Sequence, residues 1–281
     1  MFNSAIISVA ELQQAQLQGE ELVLFDCRFN LMAPEEGAQA YAQSHLAGAH
    51  YAHLDKDLSS AVTAQSGRHP LPDRASFAAW LAQRGVKPET WIVAYDAQQS
   101  LVASRLWWLA RWIGHARVVV LDGGYPAAVA QGFAQDSATP ALVVAELKVG
   151  EPLQAICTLE EVLGLEHDTD RVLVDVRAAA RFRGEVEPID PIAGHIPWAK
   201  NIPIDQLVKD GMFCSTETLK TVISDHITED QQAIFMCGSG VTACQAALAY
   251  NLAGLGDAHI YPGSWSEWIR DASRPISTIS H

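Results

Sequence analysis

The 281-residue chain is too long for one ordinary compact domain and comfortable for two of roughly 140 residues. Hydrophobic residues make up 49% and charged residues 19%, enough apolar material for two cores. Its 33 acidic residues against 19 Lys and Arg give a formal charge of −14, a surface that repels nucleic acid and anionic membranes. A small anionic substrate therefore needs a local cluster of positive charge or of backbone amides.

Residues 1–14 carry no basic run ahead of an apolar stretch, so no signal peptide is expected. Nowhere do eighteen apolar residues run together, as a membrane span requires. In chain order, short β-branched apolar runs predict strands over 22–25, 91–95, 118–121, 172–176, 233–236 and 259–261. Amphipathic stretches between them predict helices over 74–84, 104–113, 158–165 and 241–252. That alternation is the signature of an α/β architecture with a mostly parallel sheet flanked by helices. The five cysteines, at 27, 157, 214, 237 and 244, are odd in number and scattered, which favours reduced thiols in a cytoplasmic setting.

The chain also repeats itself. Leu24-Phe25-Asp26-Cys27-Arg28 is matched by Val174-Asp175-Val176-Arg177, and His45-Leu46-Ala47-Gly48-Ala49 by His195-Ile196-Pro197-Trp198-Ala199. Ile92-Val93-Ala94-Tyr95-Asp96 then faces Ile234-Phe235-Met236-Cys237, and Gly123 faces Gly263. Asp175 follows Asp26 by 149 residues, His195 follows His45 by 150, Cys237 follows Asp96 by 141 and Gly263 follows Gly123 by 140. Four matches in one order with a slowly drifting offset indicate a duplicated domain. The breakers Ser137-Ala138-Thr139-Pro140 and Gly150-Glu151-Pro152 suggest a first domain over 1–135, a linker over 136–155 and a second domain over 156–281.

The chemistry concentrates in the second copy. The apolar strand 233–236 ends directly in Cys237, Gly238 and Gly240 permit a tight loop, and a helix starts at Val241. A cysteine so placed meets unpaired N–H groups and the positive end of a helix dipole, which stabilise an anionic sulfur, persulfide included. Ser239 and Thr242 add hydroxyl groups. Asp96 stands at the corresponding place in the first copy, so the fold does not itself require cysteine there. Cys244, seven residues on, reads either as a resolving thiol or as a small helix residue packed on the sheet, and the packing reading is preferred. No Cys-x-x-Cys pair or histidine cluster suggests zinc.

The loop Cys237-Gly238-Ser239-Gly240-Val241-Thr242-Ala243, with the closing Gly263-Ser264-Trp265-Ser266-Glu267-Trp268, resembles the tandem rhodanese family, in particular its 3-mercaptopyruvate sulfurtransferase branch. The resemblance runs from Asp26 to Trp268. It implies two tandem rhodanese-like domains, inactive then active, with the site in the cleft between them. It implies that Cys237 is the nucleophile that becomes persulfidated, that Arg181 grips the substrate anion, and that Ser239 forms a proton relay with His69 and Asp55. Gly238, Gly240, Val241 and Thr242 line the substrate loop.

One departure stands out. The family carries a second substrate arginine about nine residues beyond the first, and the stretch Glu185-Val186-Glu187-Pro188-Ile189-Asp190-Pro191-Ile192 has none. Either Arg183 substitutes, or one arginine plus backbone amides holds the substrate carboxylate. The implied reaction takes sulfur from 3-mercaptopyruvate onto Cys237, releases pyruvate, and passes the sulfur to a thiol such as reduced thioredoxin or to cyanide, with no metal or organic cofactor.

Three other readings are weighed against the loop. A thiosulfate sulfurtransferase is expected to place Arg or Lys within it, and Gly238, Ser239 and Gly240 are neutral; this reading is the alternative. A related phosphatase needs arginine six residues after the cysteine, where Ala243 stands. A non-enzymatic sulfur carrier or binding module would usually have lost the cysteine, and this chain lacks it in one copy only.

Overall fold

The computed structural model describes residues 2–278. They form two compact units. The first holds 2–60, Pro72–Leu153 and Asp210–Phe213; the second holds Ala61–Leu71, Gln154–Lys209 and 214–278.

In the first unit five parallel strands lie in the order Ile6–Ile7, Val118–Leu121, Trp91–Tyr95, Leu22–Asp26, His50–Tyr51. Alternate residues Leu24, Val93, Tyr95, Val119 and Leu121 share one core cluster, the period-two pattern that sends one set of side chains to one face. The helix Leu101–Trp112 is buried without interruption from Val102 to Ala110, and Trp107 and Trp108 are core residues of this unit. It starts three residues earlier than its apolar pattern predicts. The stretch read as a linker is hydrogen-bonded to this unit: Gln135–Asp136 pairs antiparallel with His45–Leu46, and Ala145 donates to the Ala82 carbonyl.

In the second unit four parallel strands run His259–Ile260, Gln232–Met236, Arg171–Asp175, Lys200–Asn201. A single parallel bridge from Ile156 to Ile260 stands where the first unit has the strand Ile6–Ile7. Leu173, Ile234 and Met236 join Trp265 and Trp268 in the core beneath the sheet.

The repeat is structural as well as sequential. Asp26 receives a forked pair from Arg28, and Asp175 the same from Arg177; the arginines then donate to the carbonyls of Ser44 and Gly194 at 2.6 and 2.7 Å. His45 stacks on Tyr41 and His195 on Phe182, with Nδ1 of each against that partner's carbonyl. Each buried pair is satisfied on several sides, the condition under which a buried charge is tolerated.

The segment Ala61–Leu71 belongs to the second unit although it lies in the first half of the chain. Arg68 N–H donates to Ser266 Oγ at 3.0 Å, and Arg270 Nε donates to the Ser66 carbonyl at 3.2 Å. A Cβ on Gly67 would collide with the Gly263 carbonyl, so only glycine permits this approach.

Candidate active site

In open parallel sheets, ligands bind at the carboxyl ends of the strands. The central strand Gln232–Met236 of the second unit delivers Cys237 to that end. Three contacts from the short helix Ser264–Trp268 hold the following peptides: Ser264 Oγ accepts from Cys237 N–H at 3.1 Å, Trp265 N–H donates to the Cys237 carbonyl at 3.0 Å, and Ser266 N–H donates to the Gly238 carbonyl at 2.9 Å. Trp265 and Trp268 are themselves fully buried. The tryptophans thus anchor the element that shapes the loop.

Gly240 has φ +84° and directly precedes the helix Val241–Leu252. Its N–H donates to Cys237 Sγ at 3.1 Å, so the sulfur lies at the helix N-terminus where the dipole favours negative charge. A Cβ there would collide with the Pro262 carbonyl. Cys237 is only 2% exposed. Val241 is buried and Thr242 half-buried in the helix's first turn. Cys244 is buried too, its Sγ 3.3 Å from the Gly240 carbonyl, a helix-packing contact.

The first unit shows what this loop geometry binds. Asp96 follows the equivalent strand, and its two carboxylate oxygens accept four backbone N–H groups, from Gln98, Ser100, Val102 and Ala103, at 2.8–3.0 Å. Burial pushes its carboxyl above the usual range while those donors hold it down. In both copies a loop ahead of a helix turns backbone amides inward, four onto a carboxylate in one and the Gly240 N–H onto a sulfur in the other.

Ser239 Oγ lies 2.7 Å from His69 Nδ1, both residues being buried. Histidine and hydroxyl can therefore exchange a proton beside the sulfur loop. Arg181 lies in the last turn of the short helix Ala179–Phe182; its Nη2 donates to Glu187 Oε1 at 2.6 Å and to Asp190 Oδ2 at 3.3 Å. Glu187 is held in turn by Arg177, whose guanidinium lies 4.6 Å from the Trp265 ring centroid. Arg183 makes a two-toothed pair with Glu185, at 2.6 and 2.9 Å, on a partly exposed surface.

Asp55 belongs to the first unit, is exposed, and donates its own N–H to His53 Nδ1 at 3.1 Å. His69 rides on the Ala61–Leu71 segment of the second unit, which brings it to Ser239.

Two site residues escape sequence reasoning. Arg68 ion-pairs with Asp190 Oδ1, the same carboxylate that Arg181 touches through Oδ2. A Cβ on Gly238 would stand 3.0 Å from Arg68 Nη2, 3.6 Å from Arg181 Nη2 and 3.7 Å from Asp190 Oδ2, so all three groups border the sulfur loop. The available signals were adjacency to His69 for Arg68, and for Asp190 its place nine residues beyond Arg181. Neither reveals the pairing, which joins positions 122 residues apart. Burial pulls the Arg68 guanidinium down from its ordinary value, and the charge on Cys237 counters that. Among the described residues no group of three or more His, Cys, Asp or Glu could hold a metal ion.

Fold and loop together define a duplicated parallel α/β protein whose second copy cradles a cysteine sulfur. The rhodanese-like domain model matches it twice, over residues 8–131 and 158–271. The chain belongs to the rhodanese family. It is 40% identical to a "Probable 3-mercaptopyruvate sulfurtransferase" of Pseudomonas aeruginosa, over 98% of this chain and 99% of that one. It is 32% identical to the thiosulfate sulfurtransferase of Mus musculus, over 94% of this chain and 90% of the other. The 3-mercaptopyruvate sulfotransferase SseA of Escherichia coli has a solved structure that matches with TM-score 0.82 at 27% identity, covering 94% of this chain and 100% of that one.

Proposed function

We propose that this chain is a sulfurtransferase that takes sulfur from 3-mercaptopyruvate onto Cys237 and hands it to a thiol. The observation that carries the reading is the Cys237 sulfur held against the Gly240 amide at a helix N-terminus, in a loop with no charged side chain of its own. In the first half-reaction the thiolate attacks the donor's sulfur, an S–S bond forms, and the C–S bond breaks with its electron pair going to carbon. Pyruvate leaves as its enolate and takes a proton, which the Ser239–His69 pair is suited to relay. In the second, an acceptor thiolate attacks the outer sulfur and Cys237 leaves as thiolate. Reduced thioredoxin is the protein acceptor we propose, cyanide serves in the assay, and the setting is cytoplasmic. The part assigned to Asp55 rests on the family resemblance and is tested by Asp55→Asn.

A second reading has its own observation. Arg68 and Arg181 both border Gly238, which supplies from outside the loop the positive charge a thiosulfate dianion wants. Initial rates with 3-mercaptopyruvate and with thiosulfate, cyanide as acceptor, separate the two. A higher kcat/KM for 3-mercaptopyruvate supports the first reading, and a thiosulfate preference replaces it with the second. Arg181→Ala raises KM for the donor; an unchanged KM would take Arg181 out of the substrate site.

A further inference from the structure

Three arginines and three carboxylates meet beside the sulfur loop. Arg177 pairs with Asp175 and Glu187, Arg181 with Glu187 and Asp190, and Arg68 with Asp190. The formal charge of the cluster is zero. Its geometry is asymmetric, though, because the carboxylates are buried almost completely while Arg68 and Arg181 keep 25% and 16% of their side chains exposed. Solvent, and any ligand coming from it, meets guanidinium rather than carboxylate.

Arg68 also has donors to spare. One Nη goes to Asp190, the other lies closest to the Gly238 position, and Nε is buried with no hydrogen-bond partner among the described residues. A buried guanidinium N–H left unmatched costs free energy unless a ligand completes it. At the position nine residues beyond Arg181, where the family pattern puts an arginine, this chain has Asp190, and Asp190 ties in an arginine from a distant segment. The positive charge has changed its place in the sequence.

We propose that Arg68 is the second arginine of the donor-anion subsite and that Asp190, spanning Arg68 and Arg181, tunes that subsite to a single negative charge. This rests on the sulfur-donor reading given above. A monoanion such as the mercaptopyruvate carboxylate binds the outward N–H groups of the two arginines without overdrawing a neutral cluster. A dianion such as thiosulfate leaves the cluster at minus two beside the Asp190 carboxylate, twice the excess that a monoanion leaves. Removing the Asp190 charge leaves the cluster at plus one and relaxes the discrimination.

The test separates this inference from the activity it rests on. Pyruvate, a monoanion, and thiosulfate, a dianion, are titrated by calorimetry into full-length Cys237→Ser protein, where no turnover occurs. Pyruvate is expected to bind more tightly. Adding Arg68→Gln weakens both by about tenfold, and adding Asp190→Asn shifts the thiosulfate-to-pyruvate affinity ratio about tenfold toward thiosulfate, each tenfold being about 1.4 kcal/mol. Arg68→Lys is the folding control: it keeps the charge, loses the planar fork, and gives an intermediate loss. Unchanged affinities in Arg68→Gln, or an Asp190→Asn effect equal for the two anions, overturn the proposal. Failure of otherwise wild-type protein to load sulfur on Cys237 from either donor, read by intact mass, would instead overturn the sulfur-transfer reading while leaving the anion result standing.

Discussion

The Gly240 amide donates to the Sγ of Cys237 across 3.1 Å, closing a four-residue loop on the sulfur it presents. That contact requires the left-handed backbone of Gly240, and the Pro262 carbonyl fills the space a side chain would need. Gly240→Ala combines a left-handed alanine, about 1–2 kcal/mol, with a backbone collision. It is expected to lower sulfur-transfer rates at least about tenfold and to cost about 2 kcal/mol or more of stability. Wild-type rates together with an unchanged denaturation midpoint would show the contact to be dispensable.

Cys237→Ser keeps the shape of the loop and removes the proposed nucleophile. Pyruvate release from 3-mercaptopyruvate is expected to vanish, and intact mass should show no added sulfur after incubation with donor. Far-UV circular dichroism should match the wild type. Persistent turnover would place the nucleophile elsewhere.

Ser239 and His69 share one short hydrogen bond and should act as a unit. Ser239→Ala and His69→Asn are each expected to lower kcat about 10²-fold, the lower range for a positioned proton-transfer group. The double variant should be little worse than either alone, since residues of one network are not additive. Losses that multiply in the double variant would argue against a shared relay.

Asp96 has no thiol to offer, and its carboxylate satisfies four N–H groups in the first unit. Asp96→Ala leaves them without an acceptor, an expected loss of about 3–5 kcal/mol from several buried groups at about 1–3 kcal/mol each, part of it recovered by water. Asp96→Asn, which retains one oxygen, should lose less. Equal chemical stability of all three proteins would contradict the cradle.

Burial holds His115 and His195 below their ordinary value, in the first and second unit respectively. As pH falls below about 6.5 the unfolded chain takes up protons that these folded histidines do not, so stability declines with acidity. The urea midpoint should therefore be lower at pH 5.5 than at pH 7.5, and His115→Gln should reduce the difference. A midpoint that rises on acidification would reverse the sign.

Much of this was legible in the residues themselves. Strand 91–95, strand 118–121 and helix 241–252 follow from β-branched runs and an apolar helical face, because local backbone preference and burial agree there. The loop from Cys237 to Val241 could be read as well, since a strand end, two glycines and a helix start fix its path within a few residues. The Asp-x-Arg and histidine matches exposed the duplication because each serves the same short-range contact in both copies.

What tertiary structure decided was the company the sulfur keeps. Membership of the segment Ala61–Leu71 in the second unit depends on Gly67 meeting Gly263 and Arg68 meeting Ser266, contacts between positions almost 200 residues apart. The same is true of Arg68 on Asp190, an ion pair between positions 122 residues apart, while Arg183 turned to its neighbour Glu185. Periodicity and spacing carry local conformation and mark the candidate nucleophile. Which distant charge completes a site is set by the packing of whole segments, and no local pattern encodes it.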